Sequence, residues 1–187
     1  MDHSTRKNRL VPTIAASMAL VLLPMAEPAL AQRQLVTMET LLDRIQIEDF
    51  LTGYYFDLSR GESHALSEYF TEDAVLDVDG TVATGHDEIA RLYEPAEGVE
   101  PERTWRGHML LNNPIIEVKG DKATAHLIWT GVMNEGVGKA PGLYEQGREY
   151  TELVKRDGKW LISKRMISSD SGLPDRFDAT YEPREHP

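Results

Sequence analysis

Three polar side chains of this chain belong to types that transfer protons: Tyr54, Asp57 and His108. Tyr54 and Asp57 are three residues apart in a stretch with helical spacing, so they are neighbours on one helix face. His108 lies in a later stretch with strand spacing, and an imidazole takes and releases protons near neutral pH. If folding brings the three groups to one cavity, the chain has the parts of an acid–base site.

A helix from Leu41 to Leu58 is predicted to position Tyr54 and Asp57. Thr40 precedes it and is a suitable N-cap residue. Because polar atoms on or beside a buried stripe need a partner or a cavity, we expect Tyr54 and Asp57 to face one. The apolar stripe follows the four-three-four spacing of a helix face and consists of Ile47, Leu51, Tyr54 and Leu58.

Two further helices and a strand precede the sheet in the predicted order. Residues 65–70 have helical spacing, residues 74–80 have the pattern of a strand that ends in a turn, and Asp87 to Tyr93 form a third helix. Residues 94–103 contain two prolines and four acidic residues, which predicts a loop.

From Trp105 onward the apolar spacing changes from 3.6 to 2, which predicts strands. Glycine turns at residues 119–121 and 156–158 divide this region into two hairpins. Helices followed by at least four antiparallel strands give an α+β fold, because strand and helix do not alternate as a parallel sheet requires. We predict a conical barrel, in which a curved, mostly antiparallel sheet wraps around three N-terminal helices and leaves a ligand cavity.

The first 31 residues have the pattern of a secretory signal peptide. A basic start is followed by a mostly apolar run from Val11 to Leu23 and by a small-residue cleavage pattern at residues 29–31. An uncleaved membrane anchor is the alternative, but the apolar run is shorter than the ~20 residues that span a bilayer. We predict an exported chain, periplasmic or secreted, with no membrane attachment after cleavage before Gln32.

The remaining chain is predicted to form one domain. Residues 32–170 would make this domain, and residues 171–187 would be a loosely ordered tail with several prolines. The net charge of −11 repels phosphate backbones, and no basic stripe with interleaved aromatic residues is present. The composition therefore excludes nucleic acid as a partner.

Several other kinds of site lack their residue patterns. The chain has no cysteine, which excludes thiolate ligands and a cysteine nucleophile. The segment GVGKAPG lacks the spacing of a P-loop, and Gly-x-Ser-x-Gly is absent. Metal-ligand spacing is also missing, so we predict no metal site; the histidines considered are His64, His86, His108 and His126.

Longer segments of the chain resemble a known group. The segments YYFDLSRGESHALSEYFTEDAVLDV, TGHDEI, RGHMLLNNPIIEVKGDKATAHLIW and REYTELVKRDGKWLISKR are similar to the SnoaL-like branch of the nuclear-transport-factor-2-like superfamily, over about Glu39 to Asp170. That group includes polyketide cyclases, scytalone dehydratase, ketosteroid isomerase and bile-acid 7α-dehydratase. The resemblance implies a conical α+β barrel with a deep apolar pocket, a homo-oligomer, and no cofactor in the dehydratase and isomerase members.

The resemblance also implies roles for individual residues. Tyr54 matches a pocket tyrosine whose hydroxyl stabilises developing negative charge on oxygen, and His108 matches a catalytic histidine of the dehydratases. The carboxylate that pairs with this histidine would fall at Ser59, and the isomerase base would fall at Val78, so both family carboxylates are missing. Asp57 is our candidate replacement and third catalytic residue; the other candidates are Asp77 and Asp79.

Four further residues complete the predicted pocket as substrate-binding residues. Trp105 stands beside the acidic loop and would form a pocket lip. Trp129 lies on a strand face, where the alternative is a place in the core. The other two are Asp77 and Ser59.

These observations together predict a cofactor-independent lyase. The reaction would be a dehydration or a retro-aldol cleavage of a hydroxylated aromatic or polycyclic small molecule, with His108 moving the proton, Asp57 orienting it or acting as second base, and Tyr54 binding the oxyanion. A non-catalytic binder of a hydrophobic ligand or a partner protein, with the same fold, is the alternative. Isomerisation ranks lower because Val78 replaces its base.

Overall fold

The described part of the chain has two α-helices, one 3-10 helix and six strands. The computed structural model describes residues 36–60, 63–94, 106–173 and 181. The helices are α1 (Leu41–Arg60), the 3-10 helix (Ser63–Tyr69) and α2 (Gly85–Tyr93). The strands are β1 (Phe70–Val78), β2 (Thr81–Thr84), β3 (Arg106–Lys119), β4 (Lys122–Asn134), β5 (Gly142–Arg156) and β6 (Lys159–Ser171).

The α+β class and the mostly antiparallel sheet are confirmed. The strand order is β2-β1-β6-β5-β4-β3, and the pairing of β1 with β6 is parallel while every other pair is antiparallel. The sheet is open, with β2 and β3 as its edges. The second predicted helix is a 3-10 helix, and β2 was not predicted.

Other predictions lie outside the described residues. They are the signal peptide at residues 1–31, Trp105, most of the acidic loop at residues 94–103, and most of the tail after residue 173. Within the described ranges, no helix combines the length and the apolar content that a bilayer crossing needs.

The sheet packs its helix-facing side against α1, the 3-10 helix and α2 through two apolar clusters. One cluster joins α1 to β3, β4, β5 and β6, and includes Leu51, Trp129 and Trp160. The other joins α1 to the 3-10 helix, β1, β2, β6 and α2, and includes Tyr54 and Ile89. The α1 stripe Ile47, Leu51 and Tyr54 is buried, as its spacing predicts. Leu58 of the same stripe is partly exposed.

A two-residue turn holds each long hairpin in register. Lys119 pairs with Lys122 around Gly120, which has a φ of 59°, and Arg156 pairs with Lys159 around Gly158, which has a φ of 77°. Positive φ is the backbone conformation that these tight turns require and that glycine adopts without strain. The two predicted hairpins are therefore confirmed.

The buried carboxylate of Asp79 connects the β1–β2 turn to β6 through hydrogen bonds. Asp79 is 2% exposed, and it accepts hydrogen bonds from the backbone N–H of Ser169 at 2.8 Å and from its hydroxyl at 2.7 Å. The Asp79 N–H donates to the Ile167 carbonyl at 3.1 Å. Asp79, a sequence candidate for a catalytic carboxylate, therefore has a structural role at this strand end.

We expect Asp79→Ala to lower the free energy of unfolding by about 2–3 kcal/mol, because it removes two hydrogen bonds to a charged group and leaves their donors unsatisfied. Urea denaturation followed by tryptophan fluorescence measures the change. Asp73→Ala is the matched control, since Asp73 is largely exposed and should change stability by less than about 0.5 kcal/mol. Equal effects of the two substitutions would contradict the assigned role of Asp79.

Candidate functional site

The centre of the helix-facing side holds polar side chains that come from α1, α2, β5 and β6. Tyr54 and Tyr55 of α1 are 1% and 7% exposed, and Glu149 and Arg165 are fully buried. Thr151 lies opposite Arg165 in the register of β5 and β6, which places their side chains next to each other. We call the following six residues, of which only Tyr93 is partly exposed, the buried polar cluster: Tyr54, Tyr55, Tyr93, Glu149, Thr151 and Arg165.

Arg165 is the positive charge of this cluster. Its Nε donates to the Thr151 hydroxyl at 3.2 Å, and its guanidinium carbon lies 4.1 Å from the ring centroid of Tyr54. Its Nη2 lies 3.2 Å from Oε1 of Glu149, so the two side chains form a buried ion pair. Within the described ranges, neither Nη1 nor Nη2 has the geometry of a hydrogen bond, although the Glu149 carboxylate is the ionic partner of Nη2.

Glu149 is the negative charge of the cluster, and its two oxygens have partners. Oε2 accepts a hydrogen bond from the Tyr55 hydroxyl, and Oε1 accepts one from the Thr151 hydroxyl at 2.8 Å. Burial lowers the pKa of the Arg165 guanidinium, but the Glu149 carboxylate and the nearby tyrosines raise it by more, so the net pKa lies above its ordinary value. Arg165 therefore stays charged at physiological pH.

The three tyrosines of the cluster are neutral hydrogen-bonding groups. The hydroxyls of Tyr54 and Tyr93 form a hydrogen bond with each other. Burial raises the pKa of Tyr54 although the Arg165 charge opposes it, and burial raises the pKa of Tyr55 and Tyr93 well above the ordinary value. The cluster thus combines neutral hydroxyls with one guanidinium, which is a suitable surrounding for an oxygen that gains negative charge.

A cleft of about 460 Å³ lies beside the cluster. The Tyr69 hydroxyl donates to Oδ2 of Asp57 at 2.6 Å, and both residues line the cleft. The Tyr69 ring meets the Tyr54 ring edge-on at 5.3 Å between centroids, so Tyr69 separates the cleft from the cluster. The other lining residues are Gln46, Phe50, Glu68, Gly158, Lys159, Trp160 and Leu161.

The structure brings two of the three predicted catalytic residues to this region, but not His108. Met109 and Leu111 pack against both apolar clusters, and neighbouring strand residues point to opposite faces. His108 is exposed on the other face of the sheet from Tyr54. The predicted meeting of His108 and Tyr54 in one cavity is wrong for this structure, and a catalytic role of His108 stays a prediction without geometric support.

The predicted substrate-binding residues are spread over the fold. Trp129 is 4% exposed in the core and packs so closely on Gly147 that a Cβ there would stand 2.5 Å from its ring. Asp77 accepts the Gly80 N–H at 3.0 Å within the β1–β2 turn. Ser59 is exposed and donates to the Phe56 carbonyl at 2.7 Å. None of the three lines the cleft.

The sequence analysis did not predict four residues of this region as site residues: Tyr69, Tyr93, Glu149 and Arg165. One signal was available for Glu149, since it shares the strand face of Thr151 and Leu153, and a charged residue on a buried face is unusual. The described residues contain no group of three His, Cys, Asp or Glu side chains that could hold a metal ion.

Comparisons with known proteins agree with this architecture. A family model described as a SnoaL-like domain matches residues 39–166. A candidate scytalone dehydratase from Novosphingobium aromaticivorans is 19% identical, with a TM-score of 0.59 over 71% of this chain and 87% of that one. ActVI-ORFA from Streptomyces coelicolor is 18% identical, with a TM-score of 0.61 over 68% and 96% of the chains.

A third similar structure carries the name of the fold. An NTF2-like protein with a cystatin-like fold from Novosphingobium aromaticivorans is 22% identical, with a TM-score of 0.58 over 77% of this chain and 92% of that one. At such identities the structural likeness establishes the fold alone. No curated protein sequence matches the chain.

Proposed function

We propose that this chain, which belongs to the SnoaL-like domain family, is an exported, cofactor-independent lyase for a hydroxylated aromatic or polycyclic small molecule. The observation that carries the proposal is the Asp57 carboxylate in the wall of the cleft, hydrogen-bonded to the Tyr69 hydroxyl at 2.6 Å. A carboxylate and a phenol in contact can take a proton at one atom and supply one at another.

In the proposed dehydration, Asp57 takes a proton from a carbon of the substrate. The C–O bond to a hydroxyl on the neighbouring carbon breaks, and the departing hydroxide receives a proton from Tyr69 or from protonated Asp57 and leaves as water. In the retro-aldol version, Asp57 takes the proton of the hydroxyl, the C–C bond breaks to leave a carbonyl compound and an enolate, and the protonated Asp57 returns its proton to the enolate carbon. In both reactions negative charge develops on the oxygen of a carbonyl next to the reacting carbon, and the Tyr69 hydroxyl in the wall of the cleft can donate a hydrogen bond to it. The Tyr54 hydroxyl, which was predicted for this role, lies behind Tyr69 and is bonded to Tyr93.

Two findings support a lyase over other enzyme classes. One of the similar structures is named as a candidate scytalone dehydratase, and a dehydratase performs elimination. The apolar walls of the cleft, which include Phe50 and Trp160, suit a flat ring system, and the charged residues at its rim suit hydroxyl groups.

A non-catalytic binder is the second candidate. It is favoured by the closed interior, because Tyr54 is 1% exposed and its ring is covered by Tyr69 and Arg165. A ligand held in the cleft alone would then be bound and released unchanged.

The test is incubation of the mature chain with aromatic diols and hydroxylated polycyclic ketones. An eliminating enzyme forms a conjugated product, which is seen as new absorbance and as a mass loss of one water, or as two fragments after retro-aldol cleavage. A compound that raises the melting temperature but is recovered unchanged would support the binder and contradict the lyase.

We expect His108→Ala to keep kcat/KM within about twofold of the unchanged chain, because the side chain is exposed on the sheet face away from Tyr54 and Asp57. Steady-state kinetics on the best substrate of the panel measure this. If kcat/KM of a folded His108→Ala variant falls by more than about a hundredfold, then His108 transfers the proton. That result would contradict the assignment of this role to Asp57.

Export is a separate part of the proposal and rests on residues 1–31. When the gene product is expressed in a Gram-negative host, we expect the periplasmic chain to begin at Gln32, since cleavage follows the small residues 29–31. Intact-mass measurement of the fractionated protein decides this. A full-length chain in the cytoplasm would contradict export and leave the assignment of the cleft unaffected.

A further inference from the structure

The cleft beside the buried polar cluster combines two kinds of lining side chain, aromatic rings and carboxylates. Phe50, Tyr69 and Trp160 supply the rings, and Asp57 and Glu68 supply the carboxylates. The proposed reaction uses Asp57 and Tyr69 and leaves Glu68 without a role. The remaining walls of the cleft therefore bear on what the substrate carries besides its hydroxyl groups.

The rings of Phe50 and Tyr69 form a corner of the cleft. Their centroids lie 5.2 Å apart, and their planes are inclined by 58°. Both side chains are partly exposed, whereas Trp160 is 4% exposed and already has the Lys155 ammonium 5.7 Å from its ring centroid. An aromatic ring attracts a cation that lies over its face within about 6 Å of the centroid. A cation in the corner can therefore lie close to two rings at once.

The charges of the lining favour a cation over an anion. Among the described residues that line the cleft, two carboxylates, Asp57 and Glu68, stand against the one ammonium of Lys159. The hydrogen bond from Tyr69 uses Oδ2 of Asp57 and leaves Oδ1 for another partner. Glu68 and Lys159 are exposed and their charges are screened by salt, but the net charge of −11 on the whole chain also attracts cations.

We infer that the cleft recognises an organic ammonium group, held against the Phe50 and Tyr69 rings with Glu68 as its counter-charge. The substrate is then a hydroxylated ring system that carries an amine, which is protonated at neutral pH. The inference deepens the proposed function and rests on it, since the hydroxyl groups of the same molecule would meet Asp57. A cleft of about 460 Å³ has room for a substituted aromatic or bicyclic amine.

The test compares three ligands of similar size and different charge, measured by calorimetry on the mature chain. The cation is meta-hydroxyphenyl trimethylammonium, its neutral isostere is meta-tert-butylphenol, and the anion is meta-hydroxybenzoate. We expect the cation to bind about tenfold more tightly than the isostere, and the anion to bind most weakly. A cation that binds no more tightly than the isostere, or not at all, would overturn the inference.

Two glutamate variants distinguish a local site from the general charge of the chain. Glu68→Gln keeps the shape of an exposed side chain and removes its charge, so it should weaken binding of the cation by about threefold and leave the isostere unaffected. Glu72→Gln removes the same charge from an exposed residue outside the lining of the cleft and should change the affinity by less than about 1.5-fold. Equal effects of the two substitutions would overturn the inference.

Phe50→Leu tests the contribution of the aromatic corner. Leucine keeps an apolar side chain against the core clusters and removes one ring, so the preference for the cation over the isostere should fall by about threefold or more. A folded Phe50→Leu variant with an unchanged preference would overturn the inference. If the variant does not fold, the comparison of Glu68→Gln with Glu72→Gln decides the question.

Turnover of Asp57→Asn separates this inference from the proposed function. The three ligands have no hydroxyl on a saturated carbon and cannot be eliminated, so their binding is measured independently of the reaction. Retained turnover in Asp57→Asn, together with a preference for the cation that depends on Glu68, would contradict the proposed role of Asp57 and leave the ammonium site standing. Lost turnover with equal binding of the cation and the isostere would overturn the ammonium site and leave the reaction standing.

Discussion

Asp57→Asn is expected to lower kcat by about 10²- to 10⁴-fold on any substrate that the chain eliminates, because it removes the general base of the cleft. Asparagine has the same shape and still accepts the Tyr69 hydroxyl through its amide oxygen, so the fold and the cleft should be preserved. Single-turnover kinetics measure the chemical step without product release. A loss confined to KM would indicate that Asp57 only binds the substrate.

Two matched variants define what the Asp57 result means. Ser59→Ala changes an exposed hydroxyl two residues further along α1, outside the lining of the cleft, and should leave kcat unchanged. Tyr69→Phe keeps the ring against Tyr54 and removes only the hydroxyl, so it should cause a smaller loss than Asp57→Asn. A loss in Ser59→Ala equal to that in Asp57→Asn would point to distortion of α1 rather than to a missing base.

Arg165→Met alone is expected to lower the free energy of unfolding by about 3–5 kcal/mol, since it leaves the fully buried Glu149 carboxylate without its counter-charge. Methionine fills nearly the same length as the aliphatic part of arginine, so lost packing should be a minor part of the effect. Urea denaturation followed by tryptophan fluorescence, with the linear dependence of stability on urea concentration, measures it.

Combining Arg165→Met with Glu149→Gln should recover most of the lost free energy of unfolding. With both charges removed, no unpaired ion remains, and the glutamine oxygen can still accept the Tyr55 hydroxyl. Replacement of a buried ion pair by uncharged groups is often neutral for stability. A double variant as unstable as Arg165→Met would contradict this account and show that the loss comes from packing around Tyr54.

The stability result bears on why the pair is present. If the variant with both charges removed is as stable as the unchanged chain, then the pair is not needed for folding.

Local spacing was sufficient to predict most of the fold. The α1 stripe from Ile47 to Tyr54, the two glycine turns and the place of the helices before the β3–β4 and β5–β6 hairpins each depend on residues that are close in the chain, and the structure confirms them. The proximity of Tyr54 and Asp57 is of the same kind, because one helical turn separates them. The α+β class then follows from element order alone.

The strand faces could not be predicted in the same way because of irregular pairing. On β3, Ile116 and Val118 face the core, and simple alternation carried back from them would place His108 inside. A register shift between Asn112 and Ile115 reverses the phase, so Met109 and Leu111 point inward and His108 outward.

A register shift is also the reason why the burial of Arg165 could not be predicted from the sequence. Ile162 faces the core, and alternation from it would expose residue 165, but a register shift between Glu152 and Leu153 of the partner strand turns Arg165 inward. The amino-acid sequence by itself thus determined most of the elements, their order and the place of Tyr54 and Asp57 one helical turn apart, because these depend on periodicity within single elements. Only the tertiary structure decided which distant residues share the interior, since that depends on bulges and on the packing of β5 and β6 against α1 and α2.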